Sequence, residues 1–202
     1  MDRLPPARRE GPARVLFLHS CQLGMKTVAL QLKAYADRAA DIDAVHVDLV
    51  PALWVRALGK RLLTRRFEVP ATWDLQAWRG YMIWKSIVAR WLRGPLPIDR
   101  FDVVHVLSQG VAGAARRAAG SWPRWAVNVD STGELESREF GYPRVLCRPF
   151  ISAERRMFAM TDLVVCQSRW ARDSVVADYG VPVERTQLAR NGIDLSEAPP
   201  RE

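Results

Sequence analysis

The sequence predicts a single α/β domain built around a mostly parallel β-sheet. Short, mostly apolar runs, such as residues 14–19 and 101–107, alternate with segments of helical periodicity. Strands that are apolar throughout are typical of parallel sheets covered on both faces, and helices between them indicate right-handed βαβ units. The chain has 202 residues, of which 49% are hydrophobic, so it can form a core without a metal or disulfides. We therefore expect a Rossmann-like fold.

The first half of the chain predicts a strand, a helix, a second strand and then two more helices. The strands and helices follow from apolar alternation and from helical spacing of apolar residues. In order, they are strand 14–19, helix 25–37, strand 43–50, and amphipathic helices 52–67 and 74–93. Residues 1–13 are polar and proline-rich, and they predict a flexible tail.

The second half alternates strand and helix more regularly. The predicted strands are 101–107, 125–129, 162–166 and 186–190, and the predicted helices are 109–119, 150–160 and 169–179. Residues 134–141 predict a loop or a short helix. Ser168 is well placed to cap the helix 169–179. The domain is expected to span residues 14–190, with 52–93 as a helical insertion and 191–202 as the beginning of an interdomain linker.

The insertion carries nearly all of the excess positive charge. Residues 51–93 contain nine basic and two acidic residues, a balance of +7 out of +8 for the chain, and five of the eight tryptophans. Three interpretations remain open: a solvated cationic face over an aromatic core, docking on anionic lipid headgroups, and nucleic-acid binding. The third is the least favoured, because no nucleic-acid-binding module accompanies the pattern. The candidates for facing a membrane are Arg79, Lys85, Arg90 and Arg93.

Several residue types point away from other function classes. The three cysteines are scattered and form no Cys-x-x-Cys pair, which disfavours a disulfide framework and a zinc site. His19, His46 and His105 lie within predicted strands, where structural histidines satisfied by core partners are the more frequent case. No run of 18 apolar residues and no signal-peptide pattern occurs. We expect a protein of the cytoplasm, or one on a membrane surface that faces the cytoplasm, without a metal site.

In a parallel sheet the ligand site lies outside the carboxyl ends of the strands. This rule predicts that four segments surround one crevice. They are residues 20–24, 108–109, 130–132 and 167–168.

Five segments, in order, resemble the N-terminal half of family-4 glycosyltransferases of the GT-B fold. They are Phe101–Val106, Asp130–Thr132, Glu154–Ala171, Tyr179–Arg185 and Asn191–Asp194. The resemblance implies a Rossmann-like domain that binds the acceptor and faces a second domain, which binds the nucleotide-sugar and carries a Glu-x7-Glu motif. Asn191–Asp194 matches the point where members of the family cross into that second domain.

The resemblance also implies roles for individual residues. Asp130 stands where many retaining members have a histidine near the transferred sugar, and it is the catalytic candidate. The cleft expected near the donor phosphates contains Gln22, Gly24 and Lys26, with one glycine where the family usually has a pair. The candidates for acceptor or sugar binding are Ser108, Gln109, Ser131 and Thr132.

Two functions are favoured at this stage, and nucleic-acid binding ranks behind both. The chain is expected to be the acceptor-binding half of a retaining glycosyltransferase, completed by a nucleotide-sugar-binding domain or subunit. A nucleotide-diphosphate sugar is then a substrate, no cofactor is needed, and the acceptor is a glycan or is linked to a lipid. The alternative is a non-catalytic module that binds a glycan or the inner face of a membrane.

Overall fold

A computed structural model describes residues 11–20, 25–49, 98–109, 112 and 123–190 of the chain. The predicted helices 52–67 and 74–93, the N-terminal tail, the linker residues 191–202 and most of the predicted helix 109–119 lie outside these described residues. The four membrane-facing candidates therefore stay predictions.

The described residues form one six-stranded parallel sheet, as the apolar strand pattern predicts. Its strands are β1 (Ala13–Ser20), β2 (Ile42–Leu49), β3 (Val103–Val106), β4 (Arg124–Val129), β5 (Leu163–Cys166) and β6 (Thr186–Leu188). Their order is β2-β1-β3-β4-β5-β6, so the winding direction reverses between β1 and β3. In open α/β sheets a ligand crevice forms at such a reversal, at the carboxyl ends of the strands.

The described part of the chain contains four α-helices. They are α1 (Met25–Ala36), α2 (Gly133–Glu139), α3 (Arg144–Met160) and α4 (Arg169–Ala177), and short 3-10 turns cover Ile98–Arg100 and Val183–Arg185. Gly180 follows α4 with a φ of +69°, and its N–H donates to Val176 O. A left-handed residue at this position is a common way to end a helix, and glycine adopts it without a Cβ clash.

The predicted start of α3 at residue 150 is wrong. The helix begins at Arg144, after Pro143 as its N-cap, and it contains Pro149 in its interior. A proline there removes one backbone hydrogen bond, which normally disfavours a helix. The buried residues Ile151, Met157 and Phe158 lie on α3, and their packing compensates for the missing bond.

The main core lies between the sheet and the helices. Its largest fully buried side chains include Trp125 of β4, Phe158 of α3 and Leu16 of β1. A second cluster around Val15, Phe17 and Ala36 packs α1 against the sheet. Both faces of the sheet are therefore covered near β1, as the continuous apolar strands predict.

The three histidines gather around Phe17 beneath α1. Phe17 stacks on His46 with ring centroids 4.9 Å apart and lies 5.4 Å from His105. His19 Nε2 is 3.0 Å from His46 Nδ1, and His46 Nε2 is 3.1 Å from Asp37 Oδ1. Burial, followed by the neighbouring His46, lowers the pKa of His19 to about 4, and burial lowers the pKa of His105 to about 4.

The histidines lie against the core as predicted, but they are not fully satisfied. Within the described residues, the buried Nδ1 atoms of His19 and His105 have no hydrogen-bond partner. Both rings are neutral at pH 7. Their lowered pKa values mean that the unfolded chain binds more protons than the folded chain below about pH 6.5, so this cluster loses stability as the pH falls.

The cap of α4 gives a first testable prediction. Ser168 Oγ accepts from Ala171 N at 3.0 Å, which confirms the predicted cap. Replacing Ser168→Ala removes the acceptor and lowers the free energy of unfolding by about 1 kcal/mol, as measured by urea titration. Ser168→Asp restores an acceptor, so this variant stays within a few tenths of a kcal/mol of the wild type. Equal losses in both variants would show that the cap does not stabilise α4.

Candidate functional site

Two of the predicted site segments meet at the carboxyl ends of β3 and β4. These strands are neighbours in the sheet, and each is followed by a short polar segment, residues 108–109 and residues 130–132. Gln109 Nε2 donates to Ser131 O at 2.6 Å. The side chain from one loop thus fixes the backbone of the other.

A buried carboxyl group, Glu154 of α3, lies beneath this junction. Its Oε1 accepts from Gln109 Nε2 at 3.3 Å. Its Oε2 accepts from Gly133 N at 2.9 Å and from the Tyr179 hydroxyl. Glu154 is only 2% exposed, so every polar contact it makes lies inside the protein. This one side chain joins the loops after β3 and β4 to the residues that follow α4.

The environment of Glu154 favours its neutral form. Burial raises the pKa of Glu154 to about 8, although hydrogen bonds from Tyr179, Gly133 and Gln109 act in the opposite direction. Burial also raises the pKa of the Tyr179 hydroxyl, and the neighbouring Glu154 raises it further. Tyr179 remains protonated at neutral pH, and its oxygen accepts from Glu134 N at 3.2 Å.

Thr132 has a structural position. It is fully buried, and its Oγ1 accepts from Leu135 N at 3.2 Å as the N-cap of α2. The same oxygen lies 2.7 Å from Ser174 Oγ, which in turn donates to Asp178 Oδ2 at 2.6 Å. The predicted contact of Thr132 with a sugar does not agree with this buried, fully engaged hydroxyl.

Asp130 occupies the exposed position at the end of β4. Its Oδ1 accepts from Ser131 N at 2.9 Å, which holds the carboxylate against its own loop. Burial, and then the negative charge of Asp130, raise the pKa of Glu136 in α2. The site therefore contains an exposed carboxylate beside a second, half-buried one.

The structure gives fewer contacts for the remaining predicted residues. Ser108 is half-buried, and its backbone oxygen accepts from Ala112 N. Lys26 is exposed, in the first turn of α1. Gln22 and Gly24 lie outside the described residues. Within the ranges that the structure describes, no cluster of three or more His, Cys, Asp or Glu residues could hold a metal.

Among the helices of the described residues, none combines the length and the apolar character that a membrane span requires.

Glu154, Gly133 and Tyr179 were not among the sequence-predicted site residues. The available signal was the position of Glu154 in α3, between the apolar residues Ile151 and Phe158 at helical spacing. A charged residue within such a stripe is buried unless the helix rotates, and a buried carboxyl group needs partners. Those partners come from residues 109, 133 and 179, which the sequence does not bring together by any local pattern.

Comparison with known proteins agrees with the fold and with the motifs. A family model described as Glycosyltransferase Family 4 matches residues 63–197. A solved structure titled "Crystal structure of UDP-N-acetylglucosamine 2-epimerase" superimposes with a TM-score of 0.50 at 11% sequence identity. That match covers 88% of this chain and 46% of the epimerase, so the chain spans about half of that protein's length. No curated protein sequence matches this chain at a significant level.

The close packing at Gly133 gives a prediction about stability. A Cβ atom at this position would lie 2.7 Å from Phe150 Cδ1, 2.9 Å from Ile151 Cγ1 and 3.1 Å from Glu154 Oε2. Gly133→Ala should therefore lower the free energy of unfolding by about 1–3 kcal/mol, despite the better helix propensity of alanine. Gly180→Ala is the comparison, because there only the positive φ opposes the substitution and no atom lies within 4 Å. A Gly133→Ala variant as stable as the wild type would contradict this packing.

The raised pKa of Glu154 predicts a specific dependence of stability on pH. Between about pH 4.5 and 8 the folded protein keeps a proton on Glu154 that the unfolded chain has lost, so stability falls as the pH rises. A single such group contributes a slope of up to about 1.4 kcal/mol per pH unit. Glu154→Gln cannot ionise and should lack this decline. The difference between the two proteins, measured by urea unfolding at pH 5, 6.5 and 8, isolates Glu154 from the histidines; a constant difference would contradict the assignment.

Proposed function

This chain belongs to glycosyltransferase family 4, and we propose that it is the acceptor-binding half of a retaining glycosyltransferase. It transfers a sugar from a nucleotide-sugar to an acceptor hydroxyl when a nucleotide-sugar-binding domain or subunit completes the site. Family membership rests on the match over residues 63–197, which is 135 of the 202 residues.

One geometric observation carries the proposal. An exposed carboxylate, Asp130, lies at the carboxyl edge of the sheet, and its loop is held by Gln109 and Glu154. Catalytic groups are effective when rigid neighbours fix their position. The site lies where parallel sheets generally bind ligands.

Exposed aromatic residues near the carboxyl edge of the sheet support a second domain that covers this edge. Trp170 lies in the first turn of α4, directly after β5, and is 40% exposed. Phe140, which is 58% exposed, contacts it edge-on with ring centroids 6.4 Å apart. Large apolar groups that cluster at a surface commonly mark an interface.

In the proposed reaction, this half of the enzyme mainly positions the reactants. The bond between the anomeric carbon and the nucleoside diphosphate breaks, and the leaving diphosphate takes the electron pair. The acceptor oxygen forms the new bond on the same face of the sugar, and its proton passes to an oxygen of the leaving diphosphate. Asp130 acts on this side by hydrogen bonding to the sugar or the acceptor hydroxyl, and Ser131 and Gln109 order its loop.

The other participants in the reaction follow from this transferase function. The nucleotide-sugar is a substrate and no further cofactor takes part. The acceptor is a glycan or is lipid-linked, and transfer takes place in the cytoplasm, at the inner face of the membrane for a lipid-linked acceptor. The isolated chain is inactive, because most donor contacts belong to the second domain. The alternative is a module of the same descent that binds a glycan or a membrane surface without catalysis.

A transfer assay tests the proposal. The DNA beyond codon 202 and the adjacent reading frame are sequenced for a Rossmann-like partner with a Glu-x7-Glu motif, and the two parts are co-expressed. Release of nucleoside diphosphate from a panel of nucleotide-sugars is then measured. Transfer that requires both parts supports the proposal, and rapid turnover by this chain alone contradicts it. Glycan or liposome binding in the absence of any such partner supports the alternative.

A matched pair of substitutions tests the role of Asp130. Asp130→Asn keeps an oxygen that accepts from Ser131 N but removes the charge, and it should lower kcat about 100-fold. Asp162→Asn is the control, because Asp162 Oδ2 likewise accepts from a backbone N–H, that of Trp125 at 2.8 Å, at the opposite edge of the sheet. Asp162→Asn should stay within about twofold of the wild type. Equal effects of the two substitutions would exclude a catalytic role for Asp130.

A further inference from the structure

A chain of hydrogen bonds runs from the surface to the core beneath α1. Asp37 Oδ1 is 3.1 Å from His46 Nε2, and His46 Nδ1 is 3.0 Å from His19 Nε2. Exposure falls along this chain: the side chain of Asp37 is 61% exposed, that of His46 is 13% exposed, and His19 is fully buried. We call these three residues the histidine relay.

The two imidazole rings of the relay lie edge to edge. Their planes are inclined by 20° and their centroids are 5.2 Å apart, whereas the two facing nitrogens are 3.0 Å apart. The N–H bonds and the lone pairs of an imidazole lie in the plane of its ring, so this arrangement suits a hydrogen bond in which one nitrogen donates and the other accepts. The position of the proton on one ring therefore determines its position on the other.

When both rings are neutral, Asp37 fixes every proton of the relay. A carboxylate only accepts, so His46 carries its proton on Nε2 and keeps a lone pair on Nδ1. His19 then donates to this lone pair from Nε2, which leaves a lone pair on His19 Nδ1. Within the part of the chain that the structure describes, this buried nitrogen has no hydrogen-bond partner.

Uptake of one proton reverses this order without charging the fully buried ring. The positive charge lies on His46, beside the carboxylate of Asp37, because burial, followed by the neighbouring His46, lowers the pKa of His19 to about 4. His46 then donates from both nitrogens, and His19 Nε2 becomes an acceptor. In the balance of protons, one proton enters at His19 Nδ1 and the proton of His19 Nε2 passes to His46 Nδ1.

The other charged groups around the relay leave this role to Asp37. Lys33 of α1 lowers the pKa of His19 and Asp48 of β2 raises it, and these two residues form an ion pair at 2.8 Å, so their effects oppose each other. The remaining titratable neighbour is His105 of β3. Burial lowers its pKa to about 4, so it stays neutral while the relay takes up its first proton.

We propose that the histidine relay is a pH-sensitive switch that exchanges the tautomer of His19. At higher pH His19 Nδ1 accepts a hydrogen bond, and at lower pH it donates one. His19 is the last residue but one of β1, beside the reversal of winding between β1 and β3. A group that contacts Nδ1 at this end of the sheet is therefore a hydroxyl or an N–H at higher pH, and a carbonyl or anionic oxygen at lower pH. The switch is independent of the transferase function.

Nuclear magnetic resonance of the full chain with ¹⁵N-labelled histidine tests the switch, because the shifts of the ring nitrogens distinguish an N–H from a lone pair. The chain has three histidines, so few ring signals need to be assigned. At pH 8 the proton of His19 is expected on Nε2. Between pH 8 and 5 it should move to Nδ1, with the same midpoint at which His46 becomes charged. A single tautomer of His19 while His46 titrates, or no titration of His46 down to pH 5, would overturn the proposal.

A matched pair of variants tests the role of Asp37. Asp37→Asn removes the negative charge beside His46 and should lower the common midpoint by about half a pH unit. Asp41→Asn is the control, because it removes the same charge from an exposed side chain that makes no hydrogen bond or ion pair with the described residues. Its midpoint should change by less than about 0.2 pH unit. Equal shifts in the two variants would contradict the assignment of Asp37.

Discussion

The carboxyl group of Glu154 is the constraint on which the candidate site depends. An isolated carboxylate in a protein interior is strongly destabilising, so the chain must surround it with donors or keep it protonated. This protein does both: Gln109, Gly133 and Tyr179 donate to it, and burial raises its pKa to about 8. The three donors come from three different connections of the sheet, so satisfying this one group fixes their relative positions.

The ordering of the site follows from that buried network. Gln109 cannot bond to both Glu154 and Ser131 O unless the loops after β3 and β4 adopt one arrangement. Below them, Thr132 and Ser174 share a hydrogen bond that connects α2 to α4. The exposed Asp130 thereby stands on a framework of buried polar contacts. Such a framework gives a reactive group a defined position without fixing what it reacts with.

The strands were predictable because their signal is local. Each is a short apolar run, and the observed bounds differ from the predicted ones by a few residues at most. The cap at Ser168 and the meeting of Gln109 with Ser131 also follow from sequence, through capping chemistry and strand topology. The early start of α3 was missed, because Pro149 locally opposes a helix that tertiary packing stabilises. The partners of Glu154 were missed because they are 45, 21 and 25 residues away in sequence.

The strand order also has a consequence for the kinetics of folding. Strands β3 to β6 pair with the next strand along the chain, whereas β1 pairs with β3 through contacts such as Val15 with Val103, 88 residues apart. Closing so long a loop costs more entropy than the other pairings, and non-local contacts slow folding. Two parts of the sheet, β1–β2 and β3–β6, are therefore expected to form separately. They are expected to join last, through the pairing of β1 with β3. The crevice at the winding reversal is then the final part of the molecule to form.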